Sequence, residues 1–85
     1  MMVYQIDLTN RAEKELKKLD KLFKDKASLT IDLLASNPFL GEKMGGEFRG
    51  CYRVKIPPLR IIYILDIPNR KIMVIAIRHR QGAYK

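Results

Sequence analysis

Two runs of consecutive apolar residues limit what this 85-residue chain can become: Ile61-Ile62-Tyr63-Ile64-Leu65 and Ile72-Met73-Val74-Ile75-Ala76-Ile77. Both are too short for a self-sufficient buried helix and are bounded by turn residues, so both read as strands. Being apolar on both faces, they belong in the middle of a sheet, with more than one side covered. Pro68-Asn69 turns between them, and Pro57-Pro58 separates the first from a further strand-like stretch, Cys51-Tyr52-Arg53-Val54-Lys55-Ile56. The predicted strands run over 51–56, 60–66 and 71–78. Connections of hairpin length make this part antiparallel.

The first half of the chain has a different period. Val3, Ile6 and Leu8 mark a short first strand, and Thr9-Asn10 then offers an N-cap with Glu13 in capping-box range. Ala12, Leu16, Leu19 and Phe23 recur at helical spacing, and the stripe resumes at Ala27, Ile31 and Leu34. A single rod over 10–36 would be about 40 Å long at 1.5 Å per residue. A domain of this size has a radius of gyration near 12 Å. A helical hairpin breaking around Asp20–Lys24 is therefore predicted, ended by Asn37-Pro38, because the residue before proline is pushed out of helical conformation. Residues 39–50 hold four of the five glycines and read as a loop. The expected fold is one α+β domain over residues 1–85, ordered β-α-α-β-β-β, with the helical hairpin packed on a small, mainly antiparallel sheet.

Composition narrows the setting. The apolar share of 47% supplies a modest core, and the single cysteine, Cys51, allows no intramolecular disulfide. The start lacks the basic and long apolar stretches of a signal peptide, and no run approaches the roughly 20 residues of a membrane span. A cytoplasmic location without membrane attachment is expected. One histidine and one cysteine do not make a zinc site, and no Gly-Lys-Ser/Thr follows Gly45-Gly46, so neither a metal nor a nucleotide cofactor is expected.

Charge is divided unevenly along the chain. In residues 1–47 eight Lys/Arg balance eight Asp/Glu, whereas residues 48–85 carry nine basic residues against Asp66 alone. The whole formal charge of +8 thus coincides with the strands. Cations fixed on a sheet are suited to a polyanion, with nucleic acid the first candidate. Arg53 and Lys55, two apart on one strand, share a face opposite Tyr52, Val54 and Ile56. Arg78 and Arg80 leave the last strand together, with His79 opposite. If the strands are neighbours, Arg53, Lys55, Arg60 and Arg80 converge. Such a cluster suits RNA cleavage by its own 2′-hydroxyl, because fixed guanidinium groups stabilise the extra negative charge of the phosphorane. A lysine among arginines is pushed toward lower pKa by like charge, which makes Lys55 the natural candidate base. Tyr84 could stack on a nucleobase or move a proton. Arg49, Arg78 and Lys85 are expected to hold the RNA backbone.

These residues, in this order, resemble the RelE/ParE toxin superfamily of type II toxin–antitoxin systems. The likeness runs through Thr9-Asn10-Arg11-Ala12-Glu13-Lys14-Glu15-Leu16, Asn37-Pro38, Tyr52-Arg53-Val54-Lys55, Arg60-Ile61-Ile62-Tyr63, and Ile77-Arg78-His79-Arg80 with Tyr84. The resemblance implies a microbial-RNase-like fold. For the RelE branch it implies metal-independent cutting of mRNA in the ribosomal A site, and neutralisation by an acidic, partly disordered RelB-like antitoxin in a hetero-oligomeric complex. It further implies Lys55, paired with Arg53, as general base, Arg60 as transition-state stabiliser, Arg80 as a second charge stabiliser or leaving-group aid, Tyr84 as a base-stacking residue, and His79 as an acid or base. Two positions depart from the family pattern: Pro58 and Leu59 replace the usual glycine and aromatic residue before Arg60, and the chain ends one residue after Tyr84. The ParE branch, which shares the scaffold but inhibits gyrase without a catalytic set, is the rival expectation. An inactive homologue or a plain basic nucleic-acid-binding domain is the other.

Overall fold

The computed structural model describes residues 3–46 and 49–79. Its elements are β1 (Gln5–Leu8), α1 (Asn10–Lys17), α2 (Lys21–Ser36), β2 (Glu42–Lys43), β3 (Cys51–Ile56), β4 (Leu59–Asp66) and β5 (Lys71–His79). The strands form one sheet in the order β1-β5-β4-β3-β2. β2 to β5 pair antiparallel, and β1 lies parallel to β5.

The helical hairpin breaks earlier than its periodicity predicts. α1 stops at Lys17, and Asp20 is already extended, at φ −60° and ψ 155°, as the N-cap of α2. The apolar stripe misplaces the break because Leu19, in the connection, still packs on the core. At the start of α1, Thr9 is the N-cap: its Oγ1 accepts from the Ala12 N–H at 3.1 Å. Asn37 closes α2, its N–H donating to the Leu33 carbonyl.

The second correction is β2. Two charged residues inside the expected loop pair with β3, Glu42 opposite Arg53 and Lys43 opposite Tyr52. Their position is secured from below. Tyr63, fully buried on β4, donates its hydroxyl hydrogen to the Pro38 carbonyl at 2.7 Å and accepts from the Gly41 N–H at 3.1 Å. The chain passes so close here that a Cβ on Gly41 would stand 2.8 Å from the Tyr63 hydroxyl and 2.9 Å from the Arg53 carbonyl. Tyr52 stacks on Tyr63 at 5.5 Å between ring centroids, and Phe39 meets Tyr52 edge-on.

The core lies between the helices and one face of the sheet. Ala12, Ala27, Ile31 and Leu34 pack there with Val54, Leu59, Ile61, Tyr63, Ile72, Val74 and Ile77. The other face carries no helix among the described residues, so the double covering expected for the central strands is only partial. Ile62 and Ala76 on that face are 5% and 4% exposed, whereas Ile64 and Met73 remain 43% and 38% exposed.

The side-chain alternation of β5 changes phase halfway. Ile62 pairs with Ala76 but Tyr63 pairs with Val74, leaving Ile75 as an extra residue in a β-bulge. Before it Ile72 and Val74 face the core; after it Ile77 does. Thr9 fastens the bulge: its N–H donates to the Val74 carbonyl at 3.0 Å and its hydroxyl to the Ile75 carbonyl at 3.4 Å. Glu15 of α1 accepts from the Ile77 N–H at 2.9 Å, beyond the end of β1.

Burial pushes the Tyr63 hydroxyl above its ordinary value of 10.0, with the Gly41 hydrogen bond acting in the opposite sense. Above about pH 10 the unfolded chain therefore loses this proton before the folded one does, and stability falls as pH rises. Tyr63→Phe, which leaves the Gly41 N–H and Pro38 carbonyl without this partner, should cost about 1–3 kcal/mol at neutral pH. Thermal melts from pH 7 to 11 should also show a shallower alkaline decline in the variant than in the wild type.

Candidate nucleic-acid interface

The face of the sheet away from the helices carries the basic residues. Residues directly opposite one another on neighbouring strands point to the same side. Lys55 is opposite Arg60, and Arg60 is opposite Arg78, so one row of cations crosses β3, β4 and β5. It spans two strand spacings, about 10 Å. The next row holds Arg53, Ile62 and Ala76, and the one beyond it Cys51, Ile64 and Met73. Glu42 of β2 stands opposite Arg53 at the edge of its row, and further acidic residues stand at the far end, where Asp66 faces Lys71 and Asp7 faces Met73.

Burial separates these cations into two kinds. Lys55 and Arg60 are exposed, whereas Arg53 and Arg78 are half-buried. The Nε atoms of both half-buried arginines are shielded from solvent and have no hydrogen-bond partner among the described residues. Long basic side chains commonly lay their stems over apolar surface and hold the head group in water. Ile62 and Ala76 are the apolar residues between these two arginines, and their burial fits that arrangement. Guanidinium groups held in this way and short of acceptors are suited to phosphate oxygens, which offer bidentate partners.

Like charges placed directly opposite in a sheet are destabilising, by roughly 0.2–1 kcal/mol per pair. No acidic side chain stands in the Lys55–Arg60–Arg78 row to relieve this. The three ion pairs among the described residues, Arg11–Glu15, Lys17–Glu13 and Lys21–Asp25, all lie on the helices. The row is thus a site with unspent affinity for an anion.

The structure brings Arg53, Lys55 and Arg60 onto one face, as the strand pattern predicts. It adds Arg78, expected only to hold the RNA backbone, to the β5 end of the row. The sequence signal was available in its two-residue spacing from Arg80, but its strand partner was not. His79 turns the other way. Its ring meets Phe23 of α2 edge-on at 5.1 Å, in a cleft of about 350 Å³ with Glu15, Lys18, Leu19, Asp20 and Ile77. It is separated from the cations by the thickness of the sheet. Arg49 is exposed in the turn before β3. Arg80, Tyr84 and Lys85 lie outside the described residues. Among the described residues no three His, Cys, Asp or Glu side chains gather into a metal-binding group, and no helix is long and apolar enough to cross a membrane.

Comparison with known proteins follows the same line. The family pattern described as the ParE toxin of the type II toxin–antitoxin system parDE matches residues 6–84. The chain is 32% identical over 88 aligned residues to the candidate toxin RelE1 of Methanocaldococcus jannaschii, covering 99% of this chain and 98% of that protein. Among solved structures, the RelBE2 toxin–antitoxin complex of Mycobacterium tuberculosis contains a chain that superposes with a TM-score of 0.81 at 21% identity, covering 92% of this chain and 99% of that one. The archaeal RelE–RelB complex of Pyrococcus horikoshii gives 0.78 at 23% identity, covering 93% and 97%. At these identities the superpositions bear on the fold alone.

Binding of a short single-stranded RNA should show the cation row directly. Each contact with a phosphate contributes about 0.7 to the slope of log affinity against log salt for single strands. Fluorescence anisotropy between 50 and about 200 mM salt should give a slope reduced by about that amount in each of Lys55→Ala, Arg60→Ala and Arg78→Ala. Lys71→Ala, at the far end opposite Asp66, should leave the slope unchanged.

Proposed function

The chain belongs to the RelE/ParE toxin superfamily of type II toxin–antitoxin systems, and we propose that within it this protein is an endoribonuclease that cuts mRNA in the ribosomal A site. The observation that carries this reading is the Lys55–Arg60–Arg78 row, with Arg53 beside it, on a rigid sheet face that no helix covers among the described residues. A gyrase inhibitor would have no need to align three cations at strand spacing without an acidic partner.

In this reading the 2′-hydroxyl of the A-site nucleotide attacks the adjacent phosphate. Arg60 and Arg78 hold the non-bridging oxygens, whose charge grows in the phosphorane, and Arg53 supports them from the neighbouring row. The guanidinium groups are placed before the substrate arrives, so little reorganisation opposes their action. Arg80 and Tyr84, which lie outside the described residues, complete the site in this reading, Tyr84 by stacking on the base. Binding of the ribosome supplies the orientation of the mRNA. The partner that silences the toxin is an acidic RelB-like antitoxin, as in the toxin–antitoxin complexes of the relatives, in a cytoplasmic hetero-oligomer. Its acidic groups meet the same cations as the RNA.

One observation favours a second reading: the family pattern that matches residues 6–84 is that of the ParE toxins. Under that reading the chain binds gyrase and leaves mRNA whole.

The two readings separate in one experiment. Purified protein is added to ribosomes programmed with a defined mRNA, cuts are mapped by primer extension, and gyrase supercoiling is measured in parallel. A-site cuts that disappear in Arg60→Ala and Arg80→Ala, with supercoiling unaffected, are expected. Intact mRNA with inhibited supercoiling would assign the chain to the gyrase-directed branch.

A further inference from the structure

We propose that Glu15 is a positioning residue for Arg78: its carboxylate holds the last part of β5, so that the Arg78 guanidinium meets the phosphate in a fixed place. The inference rests on the nuclease reading above, in which Arg78 holds a non-bridging oxygen. β1 pairs with β5 only as far as Val74. From Ile75 onward β5 keeps β4 on one side, and among the described residues no strand accompanies it on the other. Arg78 lies in that half-supported stretch.

α1 takes over where β1 stops, and it packs chiefly on β5. Thr9, Ala12 and Glu15 follow one another at successive turns and share one helix face. Thr9 donates to the carbonyls of Val74 and Ile75, and Ala12, small and fully buried, lets the helix come close. Glu15 then accepts from the Ile77 N–H with Oε1 at 2.9 Å, while its Oε2 stands 3.5 Å from the Arg11 Nε. Each oxygen thus has its own partner: Arg11 orients the carboxylate, and the carboxylate holds the strand. A charged acceptor makes a stronger bond to a backbone N–H than a neutral carbonyl does.

The consequence falls on Arg78 because both of its neighbours in sequence are held. Ile77 has its side chain in the core, 2% exposed, and its N–H on Glu15. His79 sets its ring against Phe23. Between them Arg78 is directed to the open face opposite Arg60, with its Nε shielded from solvent. Glu15 itself lines the cleft on the helix side together with His79, so it acts on the reaction only through the strand. Misplacement of a reacting or stabilising group by about 1 Å can cost about 10²-fold in rate.

Two measurements test this. In single-turnover cutting on programmed ribosomes, Glu15→Ala should cut on the order of 10–10²-fold more slowly, with ribosome binding unchanged. Glu15→Gln, which keeps an acceptor for the Ile77 N–H without the charge, should recover most of the rate. In the free protein, hydrogen exchange of the Arg78 Nε–H is followed by NMR, the signal being identified by its loss in Arg78→Ala. It should quicken in Glu15→Ala and return toward wild type in Glu15→Gln. The Arg53 Nε–H, also shielded but on β3, should not respond. If melting curves show that Glu15→Ala unfolds the chain, Glu15→Met, similar in length and helix propensity, takes its place. A wild-type rate in Glu15→Ala, no recovery in Glu15→Gln, unchanged exchange at Arg78, or equal quickening at Arg53 and Arg78 would overturn the assignment while leaving the nuclease standing. A wild-type protein that makes no cuts, with exchange at Arg78 still dependent on Glu15, would remove the nuclease reading while the hold on Arg78 stands.

Discussion

Everything at the cationic face depends on one extra residue in the last strand. A strand alternates its side chains strictly, so an uninterrupted β5 with Ile72 and Val74 in the core would also turn Arg78 inward and His79 outward. The bulge at Ile75 reverses that parity. It sends Arg78 to the open face beside Arg60 and places His79 under the helices against Phe23. Thr9 couples this choice to the start of the helical hairpin, since one side chain caps α1 and also holds the Ile75 carbonyl. The handover from β1 to α1 and the parity of β5 are thus settled at the same point.

Much of the architecture was legible because it is written in apolar spacing. The alternation of Tyr52, Val54 and Ile56 against Arg53 and Lys55 predicts the two faces of β3, and the structure places Val54 in the core and Lys55 in solvent. The runs at 61–65 and 72–77 announce central strands, and Asn37-Pro38 ends its helix where the backbone rule requires. What the spacing could not show were features decided by pairing. β2 is two charged residues with no apolar signature, stabilised by a tyrosine more than twenty positions away. The parallel seam between β1 and β5 joins the two ends of the fold and has no local signal.

The candidate site was readable as a set of residue types and less so as a geometry. Arg53, Lys55 and Arg60 were identified from charge and strand parity alone. Arg78 was underrated and His79 left open for the same reason: a bulge shifts every later residue by one, and Ile75 is as apolar as its neighbours. Formal charge makes a polyanion the first candidate partner; the sheet register shows where the cations stand.

The contact between Glu15 and the Ile77 N–H has a wider meaning. β5 is nine residues long, and β1 covers only four of them, so about half of an apolar strand would otherwise present a bare hydrogen-bonding edge. Such edges recruit strands from other molecules. α1 lies along this stretch with a carboxylate that occupies one donor and, through Arg11, keeps a charge beside it. On this side of the sheet, one glutamate helps withhold that edge from a second strand.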